Sequence, residues 1–288
     1  MDYRKYIIAL REVAKIGPKG FQQLLLAFGS PEKVYKATSE QISKLPRMSL
    51  EKAEEIIKSQ EKFEEIEDHI AFLEEQGIEI KTILEDDFPK SLREINDPPP
   101  LIYFKGEFPL PEGLFVAVVG THHATYEGIK DATDIGKELA KRGAVVVSGL
   151  ARGIDTGAHL GALTKEGKTY AVLGSGLNKI YPEENLNLAI EISKNGALLT
   201  EYPLNAPINV GQLMARNRIV VGLSQTVIVV ETEDEASGTM DAAQRAVDQG
   251  KPLFVVIRED NKNSEELVRI GAIPIKGAED LDLVLNYL

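Results

Sequence analysis

The 288-residue sequence contains no cysteine. Disulfides, thiol nucleophiles and cysteine-held zinc or iron–sulfur centres are therefore excluded. Histidine is scarce, at four residues, and none stands in an HExxH-like spacing; no metal site is expected. No apolar run approaches the length of a bilayer-crossing helix. The start, Met1-Asp-Tyr-Arg-Lys-Tyr-Ile7, lacks the apolar stretch and small-residue cleavage site of a signal peptide. A cytoplasmic protein with no membrane partner is the expectation. A surplus of positive charge is missing too, since the formal net charge is −12. A sequence-blind coat over nucleic acid calls for the opposite sign, so any nucleic-acid site must be a local basic patch on an acidic body. Internal repeats and low-complexity tracts are also lacking.

What is present divides in three. Residues 1–80 read as a small helical domain: Tyr6, Ile7, Leu10 and Val13 recur at helical spacing. Ile16-Gly-Pro-Lys-Gly20 breaks that pattern, and Phe21 to Phe28 starts a second apolar helix. Ser30 is placed to cap the next helix, with Pro31 at its first position. Two more helices start at Thr38-Ser-Glu and Met48-Ser-Leu-Glu. Helix, glycine hairpin, helix either holds a phosphate on its hairpin amides or packs as a plain bundle, and Lys15 and Lys19 are the only charges near the hairpin. Residues 81–112 read as a linker stiffened by Pro98-Pro-Pro100, with Leu101–Phe104 as a short edge strand ending at Gly106. In residues 113–288, apolar strands are expected at 114–119, 144–147, 169–173, 197–200, 226–230 and 253–257. Amphipathic helices such as Ile129–Arg142 and Gly238–Gln249 fill the gaps. Continuous apolar strands alternating with helices predict an α/β fold, a doubly wound, mostly parallel sheet covered on both faces. Its ligand is expected beyond the C-terminal strand ends. A shorter α/β extension closes the chain.

The strand ends carry the chemistry. Val145-Val-Val-Ser-Gly-Leu-Ala-Arg-Gly-Ile-Asp155 joins an apolar strand to a helix through a small-residue turn. Ser148, Gly149, Gly153 and the guanidinium of Arg152 are the makings of an anion site. Similar junctions hold Gly120, Thr121 and His122; Gly174, Ser175, Gly176 and Lys179; and Ser237, Gly238 and Thr239. Residues 202–230 contain no acid but include Arg216, Asn217 and Arg218. Arginine forks onto phosphate and stacks on bases, which suits a nucleotide or a single strand. In the competing structural reading Arg152 pairs with Asp155, and Arg216 and Arg218 are surface charges. None of these loops is a GxGxxG or GxxxxGK[ST] fingerprint, which argues against dinucleotide and P-loop chemistry, and no cofactor is expected. The serines lack a GxSxG elbow, so no catalytic residue is assigned. Asp155 and His159, one helical turn apart, read as a structural pair or as a cap on the Arg152 loop. The acidic run Glu231–Glu235 reads as a solvated loop.

Together these loops resemble the DprA (Smf) family of DNA-processing proteins. The resemblance rests on Ser148 to Asp155 with His159, Leu173-Gly-Ser-Gly-Leu with Ile180-Tyr-Pro-x-x-Asn185, Thr200-Glu-Tyr-Pro203, Arg216-Asn-Arg-Ile219 and Asp97-Pro-Pro. It implies an extended Rossmann-like domain behind a SAM-like, helix-hairpin-helix domain. It also implies a non-enzymatic homodimer that binds single-stranded DNA regardless of sequence, protects incoming strands in natural transformation and loads a RecA-type recombinase. On that view the strand-end residues named above line the DNA site. The chain departs from the family pattern at His122, where an arginine is usual, at Gly211–Ala215, where Phe-Pro is usual, and at Arg258-Glu-Asp260, where Pro-Gly is usual. These departures, with the net acidity, keep a second reading open: a nucleotide or nucleotide-derivative sensor using the same cleft.

Overall fold

The computed structural model describes residues 2–108, 113–164, 166–233, 238–259, 261 and 263–287. Two compact units emerge: Met1–Phe88 with Asn96–Tyr103, and Pro89–Ile95 with Phe104–Leu288. No helix of the described residues is long and apolar enough to cross a membrane.

In the first unit, α1 (Arg4–Ile8) runs into a π-helical turn at Ala9–Val13. Then come α2 (Pro18–Phe28), α3 (Pro31–Val34), α4 (Ser39–Ile42), α5 (Leu50–Lys58) and α6 (Phe63–Glu75). The helix starts follow local chemistry. The Ser30 hydroxyl accepts from the Lys33 N–H at 3.3 Å and Ser49 from Lys52 at 3.1 Å. Thr38 and Gln41 form a reciprocal capping box. Of the residues at helical spacing, Ile7 and Leu10 are buried and Tyr6 is half-buried, but Val13 is exposed; Phe21, Leu24 and Ile56 complete the core of the helices. One element was not foreseen: β1 (Glu79–Thr82), whose four residues are too few to show a clear period of two.

The second unit starts with α7 (Lys90–Arg93), and β2 (Leu101–Gly106) runs into it from the first. The series continues as β3 (Leu114–Val119), α8 (Tyr126–Lys141), β4 (Ala144–Ser148), α9 (Ile154–Leu163) and β5 (Thr169–Val172). It goes on through α10 (Leu186–Lys194), β6 (Gly196–Thr200), α11 (Val210–Ala215), α12 (Asn217–Leu223) and β7 (Thr226–Val229). The last elements are α13 (Gly238–Asp248), β8 (Leu253–Val256), α14 (Ser264–Arg269), β9 (Ile273–Ile275) and α15 (Leu281–Leu285).

The strand order is β2-β6-β5-β4-β3-β7-β8-β9, and every neighbouring pair from β6 to β9 is parallel. Strands β4 to β8 are buried along their whole length. This is why they read as continuous apolar runs rather than alternating ones. One expectation needs correction. Leu101–Phe104 is not an exposed edge: all four residues are buried, with β1 next to β2. The C-terminal extension continues the same sheet, with β9 paired to β8.

The chain leaves β3 toward β4, β5 and β6 on one side, and returns to β7, β8 and β9 on the other. The strand order therefore reverses between β3 and β7, and a crevice opens beyond their C-terminal ends.

Candidate functional site

The β4–α9 loop is built by two left-handed residues, Leu150 (φ +63°) and Gly153 (φ +70°). Its start is fixed where the Ser148 hydroxyl donates to the Val118 carbonyl at 2.6 Å. From the first turn of α9, the Asp155 carboxylate accepts the N–H groups of Gly149 (3.0 Å) and Ala151 (3.2 Å). Arg216, at the α11–α12 junction, lays its guanidinium where a Gly149 side chain would be. A Cβ there would stand 1.5 Å from its Nη1. That Nη1 donates to the Val172 carbonyl at 2.7 Å, and Nη2 lies 3.8 Å from Asp155. Burial pushes the Asp155 carboxyl up and the Arg216 guanidinium down, and each is opposed by the other's charge. A guanidinium stays protonated, so its charge favours the ionised form of the carboxylate beside it.

His159 takes a different partner. Its Nδ1 lies 2.7 Å from the Thr169 hydroxyl, whose own proton goes to the Val146 carbonyl at 2.8 Å. Nδ1 is therefore the donor, and the buried Nε2 keeps a bare lone pair with no partner among the described residues. Burial first, and the Arg216 charge second, hold its pKa down at about 3. The unfolded value is about 6.5. This contribution to stability is fully present above pH 6.5 and is lost as pH falls toward 3. Unfolding free energy should drop by about 2 kcal/mol between pH 7 and 5 on this account. Urea titrations at both pH values check it: His159→Leu should lose that share of the pH dependence, and an unchanged difference would refute the assignment.

Above this buried cluster lies a cleft of about 860 Å³. One wall is Gly120, Thr121 and His122 from the end of β3. Another is Gly149 and Arg152, with Tyr181 beyond them. A third is Leu213, Met214, Arg216 and Asn217, closed by Gly238 and Thr239 at the start of α13. The Asn217 amide ties the last two together, donating to the Gly238 carbonyl and to Asp241, both at 3.0 Å. The Thr121 hydroxyl accepts the His123 N–H at 3.1 Å and sets the turn that exposes His122. The rings of His122 and His123 are 3.9 Å apart, and His123 Nδ1 lies 3.3 Å from Glu233. At the rim, Arg152 donates from Nε and Nη2 to Glu184, at 2.5 and 2.8 Å, and lies 5.7 Å from the centre of the Tyr181 ring. Its carboxylate partner is thus Glu184, whereas Asp155 serves the loop's backbone.

The other expected site residues lie elsewhere. Ser148 is buried beneath the loop. Gly153 packs on the β3 loop, where a Cβ would stand 2.5 Å from the Thr121 carbonyl. Gly174, Ser175 and Gly176 are all buried: Gly174 backs onto Leu213, Gly176 lies under the Pro203 and Leu204 carbonyls, and the Ser175 hydroxyl donates to the Lys179 carbonyl at 2.6 Å. Lys179 itself is exposed. Arg218 is interior rather than a surface charge, 2.7 Å from Glu201. Ser237 lies outside the described residues, as do Asp234 and Glu235.

Glu231 is not solvated as the acidic run suggested. It is buried at the start of α8, where it accepts from the Thr125 N–H (3.2 Å) and hydroxyl (2.9 Å). Arg258 pairs with it at 3.0 Å and with Asp131 at 2.5 Å. A carboxylate at a helix N-terminus is favourably placed. Here Gly128 leaves room for it, since a Cβ would fall 1.8 Å from its oxygen. Arg258 thus serves as the counter-ion of both Glu231 and Asp131 at the start of α8. Tyr181, Glu184, Leu213 and Met214 were not foreseen as neighbours of the cleft. The available signal was Asn185 in the Tyr-Pro-x-x-Asn motif. Its amide donates to the Leu150 carbonyl (3.0 Å) and Thr156 (2.8 Å), pinning that segment to the Arg152 loop.

A doubly wound parallel sheet with a cleft beyond its reversal point defines a Rossmann-like fold. A family model for DNA recombination-mediator protein A matches residues 79–285, and one for a SAM-like helix-hairpin-helix tandem matches residues 7–61. The chain belongs to the DNA recombination-mediator protein A family, whose members carry the names DprA and Smf. It is 36% identical to DNA processing protein DprA of Bacillus subtilis over 217 residues, 74% of this chain and 73% of that one. It is 38% identical to the Streptococcus pneumoniae DprA over 197 residues, 68% and 69% of the two chains. Protein Smf of Synechocystis matches at 33% over 256 residues, 86% of this chain and 63% of that one. The crystal structure of the Streptococcus pneumoniae DprA superposes with a TM-score of 0.82 at 29% identity, covering 98% of both chains. A Helicobacter pylori DNA processing protein A, studied for its single-stranded DNA binding mode, superposes at 0.65 and 35% identity over 73% of this chain and 97% of its own.

Proposed function

We propose that the cleft binds single-stranded DNA through backbone and base stacking, without reading sequence. The observation that carries this reading is the rim: the planar Arg152 guanidinium beside the Tyr181 ring, above an apolar strip of Leu213 and Met214. A guanidinium offers a fork to phosphate and an aromatic ring accepts any base face. The single-stranded DNA binding mode of the Helicobacter relative supports the same ligand. Protection of incoming strands, a homodimeric state and loading of a RecA-type recombinase in transformation complete the proposal, supported by family membership. The role makes and breaks no covalent bond.

Fluorescence anisotropy with labelled poly-dT at low salt tests the reading. Affinity should fall steeply with added salt. Arg152→Ala should weaken binding about tenfold and leave the melting temperature unchanged, because this side chain is an exposed rim group. Equal affinity in variant and wild type would remove the rim from the site.

The cleft volume of about 860 Å³ favours one further reading, a free nucleotide, because it lies in the small-ligand range. Thermal shifts with a nucleotide panel decide it; no shift beside clear strand binding rejects the sensor.

A further inference from the structure

Arg152 is not an open cation. Glu184 closes the Nε–Nη2 edge of its guanidinium with two hydrogen bonds, at 2.5 and 2.8 Å. Glu184 is absent from the cleft lining, yet it is not a chance surface partner. It sits in the short 3-10 turn Glu183–Asn185 ahead of α10. The next residue, Asn185, is buried and holds both the Leu150 carbonyl and the Thr156 hydroxyl. The carboxylate and the loop that bears Arg152 are therefore set by one buried amide. Both members of the pair remain about half exposed, at 46% and 56% of their side-chain surface, so the pair opens at little cost. A carboxylate and a phosphodiester present the same pair of acceptor oxygens to a guanidinium edge.

We infer that Glu184 is an internal substitute for the ligand's phosphate, which competes with the strand for Arg152 and sets the affinity of the cleft. In the empty cleft it keeps Arg152 laid beside the Tyr181 ring. When a strand enters, the guanidinium exchanges carboxylate for phosphate, and the ring is left for a base. The inference rests on the single-stranded DNA reading above.

The test is poly-dT anisotropy over a salt series with wild type, Glu184→Gln, Arg152→Ala and the double variant. Glu184→Gln should bind about three- to tenfold tighter at low salt. Its dependence of log affinity on log salt should steepen by about 0.7, the equivalent of one more single-strand phosphate. In the double variant the gain should vanish, leaving the affinity of Arg152→Ala. Binding by Glu184→Gln that is weaker than, or equal to, wild type overturns the inference and makes Glu184 a positioning residue for Arg152. Wild-type protein that fails to bind poly-dT strikes the single-stranded DNA reading itself, and this inference falls with it. Wild-type binding without a gain in the variant strikes the inference alone.

Discussion

Gly149→Ala should lose about 3 kcal/mol or more of stability and most of its strand binding. The new methyl would lie 1.5 Å from Arg216 Nη1, 1.9 Å from Cζ and 2.1 Å from Nη2. The tip of a long side chain ordinarily swings aside at small cost. Here it is bonded to the Val172 carbonyl and faces Asp155. Moving it strips a buried carboxylate of its counter-charge, a change that costs about 3–5 kcal/mol where buried pairs have been broken. The same displacement removes a cation from the cleft wall. Urea unfolding and poly-dT anisotropy on one preparation measure both effects. Stability within about 1 kcal/mol of wild type would mean that the guanidinium has another place to go.

Arg218→Met should be destabilised by a similar amount, about 3–5 kcal/mol, for a different reason. The Arg218 and Glu201 side chains are 5% and 4% exposed and lie 2.7 Å apart. Removing the arginine leaves the interior Glu201 carboxylate without the Arg218 charge. Replacing both, as Arg218→Met with Glu201→Met, should recover most of the loss, because a packed apolar pair substitutes well for a buried ionic one. Weak DNA binding by Arg218→Ala alone would thus report unfolding. The outcome that reverses this assignment is a single variant as stable as wild type that binds poly-dT poorly; Arg218 would then touch the ligand.

These two residues show where sequence reasoning stops. Strands β3 to β8 were legible to within about one residue, because parallel strands buried on both faces must be β-branched and apolar throughout, whereas the short β9 was not delimited. The loops were legible as a set, since small residues at successive strand ends mark a ligand edge. The direction of each side chain was not. Arg152, Arg216 and Arg218 look alike in composition, yet the fold assigns them to the rim, the floor and the interior. Their partners lie 32, 44 and 17 residues away, in Glu184, Val172 and Glu201. Ser148 and Ser175 turn inward because backbone carbonyls await them there. No local pattern encodes such distant matches. Glu231 was misread for the same reason: a run of acids suggests solvent, and only Thr125, Gly128 and Arg258 together create its buried seat.

The seat of Arg216 also sets an order of events during synthesis. Its guanidinium needs the Val172 carbonyl, the gap at Gly149 and the Asp155 carboxylate, all of which leave the ribosome well before it does. It locks only after β4, β5 and α9 have docked, since distant contacts wait for the chain between them to close. A nascent chain, or one trapped part-way, therefore lacks the seat that holds Arg216 against the cleft. The placement of Arg216 thus arrives with the finished fold, so the cleft takes its final form only when folding is complete.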